Sequence, residues 1–182
     1  MIFNLEIKFE QLPPNVADDI RTGEIYYSLF DTIIFWVNKK NFFEHANGIP
    51  EEVMGGSSIS SDGLAIPIYG FIQTVINDLD DIGKEKTIII YEDQIDKEIV
   101  VEASGENVIL AIRYCLSNYW YDGESVKESL EIPISSVNTI PITVFKEGMI
   151  EGIRTYFESL LQQFPELKKV NKFVELYKKV KK

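Results

Sequence analysis

The sequence predicts an α+β fold: a mainly antiparallel sheet with one helix between two β blocks and two helices at the C-terminal end. Three observations carry this expectation. The strand-like segments fall into two groups. Spacers of hairpin length and turn composition separate the strands within a group, which implies antiparallel pairing rather than a doubly wound α/β sheet. Helical periodicity appears once between the groups and twice after them.

The first element is a strand. Phe3, Leu5, Ile7 and Phe9 alternate with Asn4, Glu6, Lys8 and Glu10, the pattern of a half-buried strand over residues 3–9. Pro13-Pro14-Asn15 ends it, and residues 15–22 read as a polar loop closed by Gly23. Residues 24–31 and 32–37 are dense in Ile, Tyr, Phe and Trp, as in strands packed on both faces. Asn38-Lys39-Lys40-Asn41 has turn chemistry, and the return strand is expected to start over residues 42–45. Residues 47–63 carry four glycines, a proline and four serines; the segment is long for a loop, as one that holds a short strand or serves as a functional loop would be.

Residues 67–82 are expected to be helical. Ile68, Ile72, Val75, Ile76 and Leu79 form one stripe, with Pro67 at the first helical position and Gly83 just past the end. Three strands follow, over residues 87–92, 97–103 and 108–115, and a last one over residues 130–135. The longest helix is expected over residues 144–163, with Phe145, Met149, Ile153, Tyr156 and Leu160 along one side. Gly148 and Gly152 share a face of it. Each costs about 1 kcal/mol against alanine in a helix, which a close approach to a neighbouring strand would rationalise. Pro165 breaks this helix. The last one, residues 166–180, places Val170, Phe173, Val174, Tyr177 and Val180 on a stripe, with lysines in its final turns where the helix dipole favours cations. Both main helices follow an Ile-Pro-Ile step, at residues 66–68 and 140–142, a hint of two related β-then-α halves.

The chain is 182 residues long and 45% hydrophobic, enough for one core, and is expected to be a single α+β domain over 1–182 with residues 164–182 as a C-terminal helix that could sit at its periphery. One cysteine excludes an intramolecular disulfide, and the N-terminal sequence lacks the basic and apolar regions of a signal peptide. No run approaches the roughly 20 apolar residues of a membrane span. A cytoplasmic location is expected, with no membrane partner.

The net charge of −11 is unevenly placed. Residues 168–182 hold seven of the 18 bases and one of the 29 acids, a balance of +6; residues 1–167 hold 11 bases against 28 acids, or −17. Such a body is unsuited to nucleic acid, whose phosphates need Lys and Arg, and suited to a basic protein.

Catalytic patterns are not evident. His45 is the one histidine and reads as a structural or surface residue. Cys115 ends an apolar strand and reads as a buried thiol. Gly55-Gly56-Ser57-Ser58 lacks the Lys-Ser/Thr of a phosphate loop. No cofactor and no metal site are expected. Two groups remain as candidate binding residues. Tyr119, Trp120 and Tyr121 beside Asp122 and Glu124 have the composition of an interface anchor against a basic partner. Asp78, Asp80 and Asp81 cluster at the end of the first helix, where acids are mildly unfavourable.

Residues 71–79, the strands 87–92 and 108–115, Leu130-Glu131-Ile132-Pro133-Ile134 and the helix 145–161 together resemble the small immunity proteins of bacterial polymorphic and contact-dependent toxin systems. The resemblance is one of pattern over most of the chain and supplies no functional positions. It implies a single-domain, non-enzymatic inhibitor that docks on a basic toxin domain, commonly a nuclease, and blocks its active site; a monomer or homodimer is expected. Two other classes stand beside it: a small enzyme with a dispersed Asp/Glu site, and a dimeric structural or regulatory module.

Overall fold

The computed structural model describes residues 1–8, 30–43, 59–60, 63–84, 87–92, 97–115, 120–121, 124–125, 131–133 and 138–181. It has the α+β class that the sequence predicts, and every ladder among the described residues is antiparallel.

The first sheet holds β1 (Phe3–Lys8), β2 (Phe30–Val37), β3 (Lys40–Asn41), β4 (Ile59–Ser60) and β5 (Gly63–Pro67), in the order β1-β2-β5-β4 with β3 also on β2. The alternation in β1 is realised: Phe3 and Leu5 are buried, while Asn4 and Lys8 are exposed. Asn38 and Lys39, both at positive φ, make the two-residue turn between β2 and β3, the geometry that matches strand twist. The return strand is therefore Lys40–Asn41, with Phe42 and Phe43 past its end, and residues 44–45 of the expected strand lie outside the described residues. The Asn41 side chain accepts the Phe43 N–H at 2.9 Å and draws the chain off the ladder.

Helix α1 (Ile68–Asp78) follows β5 directly, with Pro67 as the last strand residue rather than the first helical one. The helix stops at Asp78, and a turn carries the chain to Gly83 at φ +89. The second sheet holds β6 (Thr87–Glu92), β7 (Lys97–Ser104), β8 (Asn107–Cys115), β11 (Glu131–Pro133) and β12 (Asn138–Pro141). Between β8 and β11, β9 (Trp120–Tyr121) and β10 (Glu124–Ser125) pair as a sheet of their own. Then come α2 (Ile142–Gln163), a 3-10 turn (Pro165–Lys169) and α3 (Asn171–Val180). The single helix expected over 166–180 is thus divided at Val170.

The register makes the hint of two halves concrete. β5 and β3 lie on one edge of β2, with β1 on the other; β12 and β11 lie on one edge of β8, with β7 on the other. Phe30 pairs with Pro67 as Asn107 pairs with Pro141, and Trp36 pairs with Asn41 as Arg113 pairs with Pro133. Among the described residues, this edge pairs in each half with all but two residues of the central strand, Ile34 and Phe35 or Ala111 and Ile112. β5 and β12 each end on Ile-Pro and lead into a helix. The match continues into the helices, where Phe71 and Phe145 occupy the same position and are both buried, as are Val75 and Met149. Proline suits this corner because it fixes φ and needs no ladder partner for an N–H.

The helices pack across the halves. α2 lies chiefly against β1, and α1 has its main strand contact with β6. Ile142 N–H, an orphan donor at the start of α2, reaches the Glu106 carbonyl oxygen in the β7–β8 turn at 3.1 Å. The Phe3 and Phe145 rings lie 4.8 Å apart, tilted by 38°, and Phe157 meets Phe173 edge-on at 5.0 Å. Leu167, Phe173, Leu176 and Val180 belong to the same core cluster, so the C-terminal segment is packed into it.

The glycine pair of α2 meets the outer edge of β1. Ile2 turns its carbonyl oxygen toward β2, where Asn38 N–H reaches it at 2.8 Å. By antiparallel alternation the Phe3 and Leu5 carbonyls face outward. A methyl group at Gly148 would stand 2.5 Å from the Phe3 oxygen, and one at Gly152 would overlap the Leu5 oxygen outright. The helix thus covers a sheet edge at backbone distance, a way of blunting unpaired strand groups.

Candidate protein-binding surfaces

The ribbon β9–β10 gathers three of the sequence-predicted binding residues. Tyr121 lies opposite Glu124, and Trp120 opposite Ser125. The ribbon lies in the chain between β8 and β11, which pair with each other in the second sheet, and has no ladder to either main sheet among the described residues. Tyr119 and Asp122 lie outside the described residues, as do His45 and the 55–58 glycine-serine run. Cys115 is the last residue of β8.

The second predicted group sits elsewhere. Asp78 is the last residue of α1, and the exposed Asp80 and Asp81 follow in the turn. The Asp78 carbonyl accepts the N–H groups of Asp81 and Ile82 at 3.0 and 3.1 Å. Lys84 stands 3.6 Å from the Asp81 carboxylate, an exposed pair of little energetic weight. The basic α3 comes alongside, with Lys179 Nζ 3.3 Å from Asn77 Oδ1. The protein thus sets its own cations beside this acidic helix end.

Two features were not foreseen from the sequence. The first is a polar pair in the core. Asp31 on β2 and Tyr156 on α2 are both buried, and the Tyr156 hydroxyl donates to Asp31 Oδ2 at 2.5 Å. Burial pushes the Tyr156 phenol well above its ordinary range, and the Asp31 charge and hydrogen bond push it further. The equivalent of Asp31 in the second half is the apolar Val108, so this acid is particular to the first half. An acid inside the apolar run of residues 30–37 was the available signal. Both groups are closed off from solvent, which leaves a structural role.

The second is an open groove of about 580 Å³ between the N-terminal residues and α2. Met1, Ile2 and Phe3 line one side, and Val144, Glu147 and Ile150 are on the other. Met1 and Ile2 are 60% and 58% exposed, two of the three large hydrophobics so exposed among the described residues. The signal in the sequence was Ile2, an apolar residue in phase with the polar face of Asn4 and Glu6. Arg154 donates to Glu151 and reaches the Val180 carbonyl oxygen at 3.4 Å, a cation at the C-terminal end of α3.

Among the described residues no group of three or more His, Cys, Asp or Glu is placed to hold a metal ion. No helix among them is long and apolar enough to cross a membrane. Comparison with family models, with curated proteins and with solved structures gave no match.

Proposed function

We propose that this chain is a non-enzymatic binding protein that neutralises a basic bacterial toxin by docking on it through an acidic, aromatic surface. The observation that carries the reading is the β9–β10 ribbon. It sets Trp120 and Tyr121 in register with Ser125 and Glu124, with no ladder to either main sheet among the described residues. Aromatic side chains supply large contact area at low entropic cost, and acids beside them favour a basic partner and disfavour others. The −17 balance of residues 1–167 adds long-range attraction that raises the association rate.

The immunity role itself rests on the pattern resemblance, and the acidity is consistent with it. The test is recovery of partners from the native host at low and at high salt, followed by co-expression of each partner with this chain. The expected result is a basic protein held at low salt and shed at high salt, toxic alone and harmless with its neutraliser. A salt-insensitive apolar partner, or toxicity undiminished by co-expression, would overturn the reading. Tyr121→Ala and Glu124→Lys should each weaken capture.

A further inference from the structure

We infer that the groove between the N-terminal residues and α2 is a second docking site, which takes an apolar side chain flanked by lysine or arginine on a protein partner. The apolar wall is held in place. Ile2 N–H donates to Asn38 Oδ1 at 3.1 Å, and Asn38 N–H donates back to the Ile2 carbonyl oxygen at 2.8 Å. Two hydrogen bonds therefore fix the backbone of a residue whose side chain is 58% exposed. Half-buried Val144 and Ile150 face it from α2. The volume of about 580 Å³ lies within the range of roughly 300–1,000 Å³ found for small-ligand clefts, ample for one side chain.

Charge selects the occupant. Val144, Glu147, Gly148 and Glu151 follow one another at helical spacing and make one stripe along the groove. Arg154 is engaged with Glu151 and with the end of α3. Glu147 is exposed on the same stripe and adds a carboxylate beside the apolar wall. A contact of this composition favours a segment with an apolar anchor and a cation next to it.

No residue lining the groove belongs to the ribbon. α2 begins beside the β7–β8 turn, whereas the ribbon leaves from Cys115 at the far end of β8. The inference therefore stands or falls independently of the ribbon reading.

Methyl NMR of the full chain tests it. The probe is an acetylated, amidated helical peptide of leucine and lysine, with a leucine–glutamate peptide of equal length as control. The expected result is saturable shifts confined to the methyls of Met1, Ile2, Val144 and Ile150, with the lysine peptide preferred. Ile2→Ser and Glu147→Lys should each weaken binding about tenfold, and both lie at exposed positions where the fold tolerates change. Trp120→Ala/Tyr121→Ala should leave peptide binding unchanged while weakening capture of the basic partner. Shifts scattered over the acidic surface, equal binding of the glutamate peptide, or full affinity in Glu147→Lys would overturn the inference.

Discussion

Tyr156 on α2 donates its hydroxyl to the buried carboxylate of Asp31 on β2, across 125 residues of sequence. The contact joins the longest helix to the central strand of the first sheet at a point where the second half has Val108. A buried charge without a donor is costly, so the pair fixes how α2 sits over the sheet as well as adding to stability.

The pair makes folding sensitive to alkali. The folded pKa of Tyr156 is raised above its unfolded value of about 10. Its contribution is complete below that unfolded value and is lost as pH rises through the folded pKa, because the unfolded state gives up its proton first. Stability should therefore fall above about pH 10, with a limiting slope of about 1.4 kcal/mol per pH unit from this group. Denaturant titrations of the wild type and Tyr156→Phe at several alkaline pH values measure it. The variant should be weaker by about 1–3 kcal/mol at neutral pH, since Asp31 loses a donor, and should show a shallower alkaline slope. Equal slopes would remove Tyr156 as the cause.

The α2 glycines give a prediction whose sign is informative. Helix propensity alone favours Gly→Ala by about 1 kcal/mol. At Gly152 a methyl group would overlap the Leu5 carbonyl oxygen, and at Gly148 it would crowd Phe3. Both oxygens belong to strand backbone and move little. Gly152→Ala should destabilise by about 1–3 kcal/mol, and Gly148→Ala by less. A melting temperature raised by either change would show that α2 can lift off β1 at no cost.

The glycine pair also shows how far the sequence could be read. Its spacing called for a close neighbour, and β1 is that neighbour. The hairpin strands β6, β7 and β8 were legible because they are long and their spacers are short. β12 was not, because it has four residues, with exposed Thr139 followed by buried Ile140, too short to show a period. β5 was hidden because it starts on the last residue of a glycine- and serine-rich stretch, Gly63 at φ +128, and runs for only five residues. The two-fold likeness of the halves was visible only as Ile-Pro-Ile. The rest of it lies in hydrogen-bond register, which side-chain identity does not encode. The groove escaped notice because its walls come from residues 1–4 and 144–154, brought together by the packing of α2 on β1.

The charge of the ribbon should act on association more than on folding. Glu124→Lys changes the local charge by two in the direction that repels a basic partner. Its effect should be a slower association rate, by about tenfold at low salt, with little change in melting temperature. The difference should shrink as salt is raised, because the Debye length falls to about 8 Å at physiological ionic strength. Stopped-flow or surface binding at several salt concentrations distinguishes this from a local packing defect, which would raise the dissociation rate at every salt concentration.

The C-terminal helix gives the last prediction. α3 carries lysines on its outer side and presents Phe173, Leu176 and Val180 to the core. Phe173 meets Phe157 of α2 edge-on at 5.0 Å and lies 6.4 Å from Tyr69 of α1, so one ring touches both other helices. Removing it leaves a hole that three helices would have to close together, and their attachment to two different sheets restrains them. Phe173→Ala should cost about 3–5 kcal/mol. The outward Lys178→Ala should fall within about 0.5 kcal/mol of wild type, as surface changes do. Chemical denaturation of both variants gives the comparison. A loss at Phe173 as small as that at Lys178 would mean that α3 rests on the surface and adds nothing to the core.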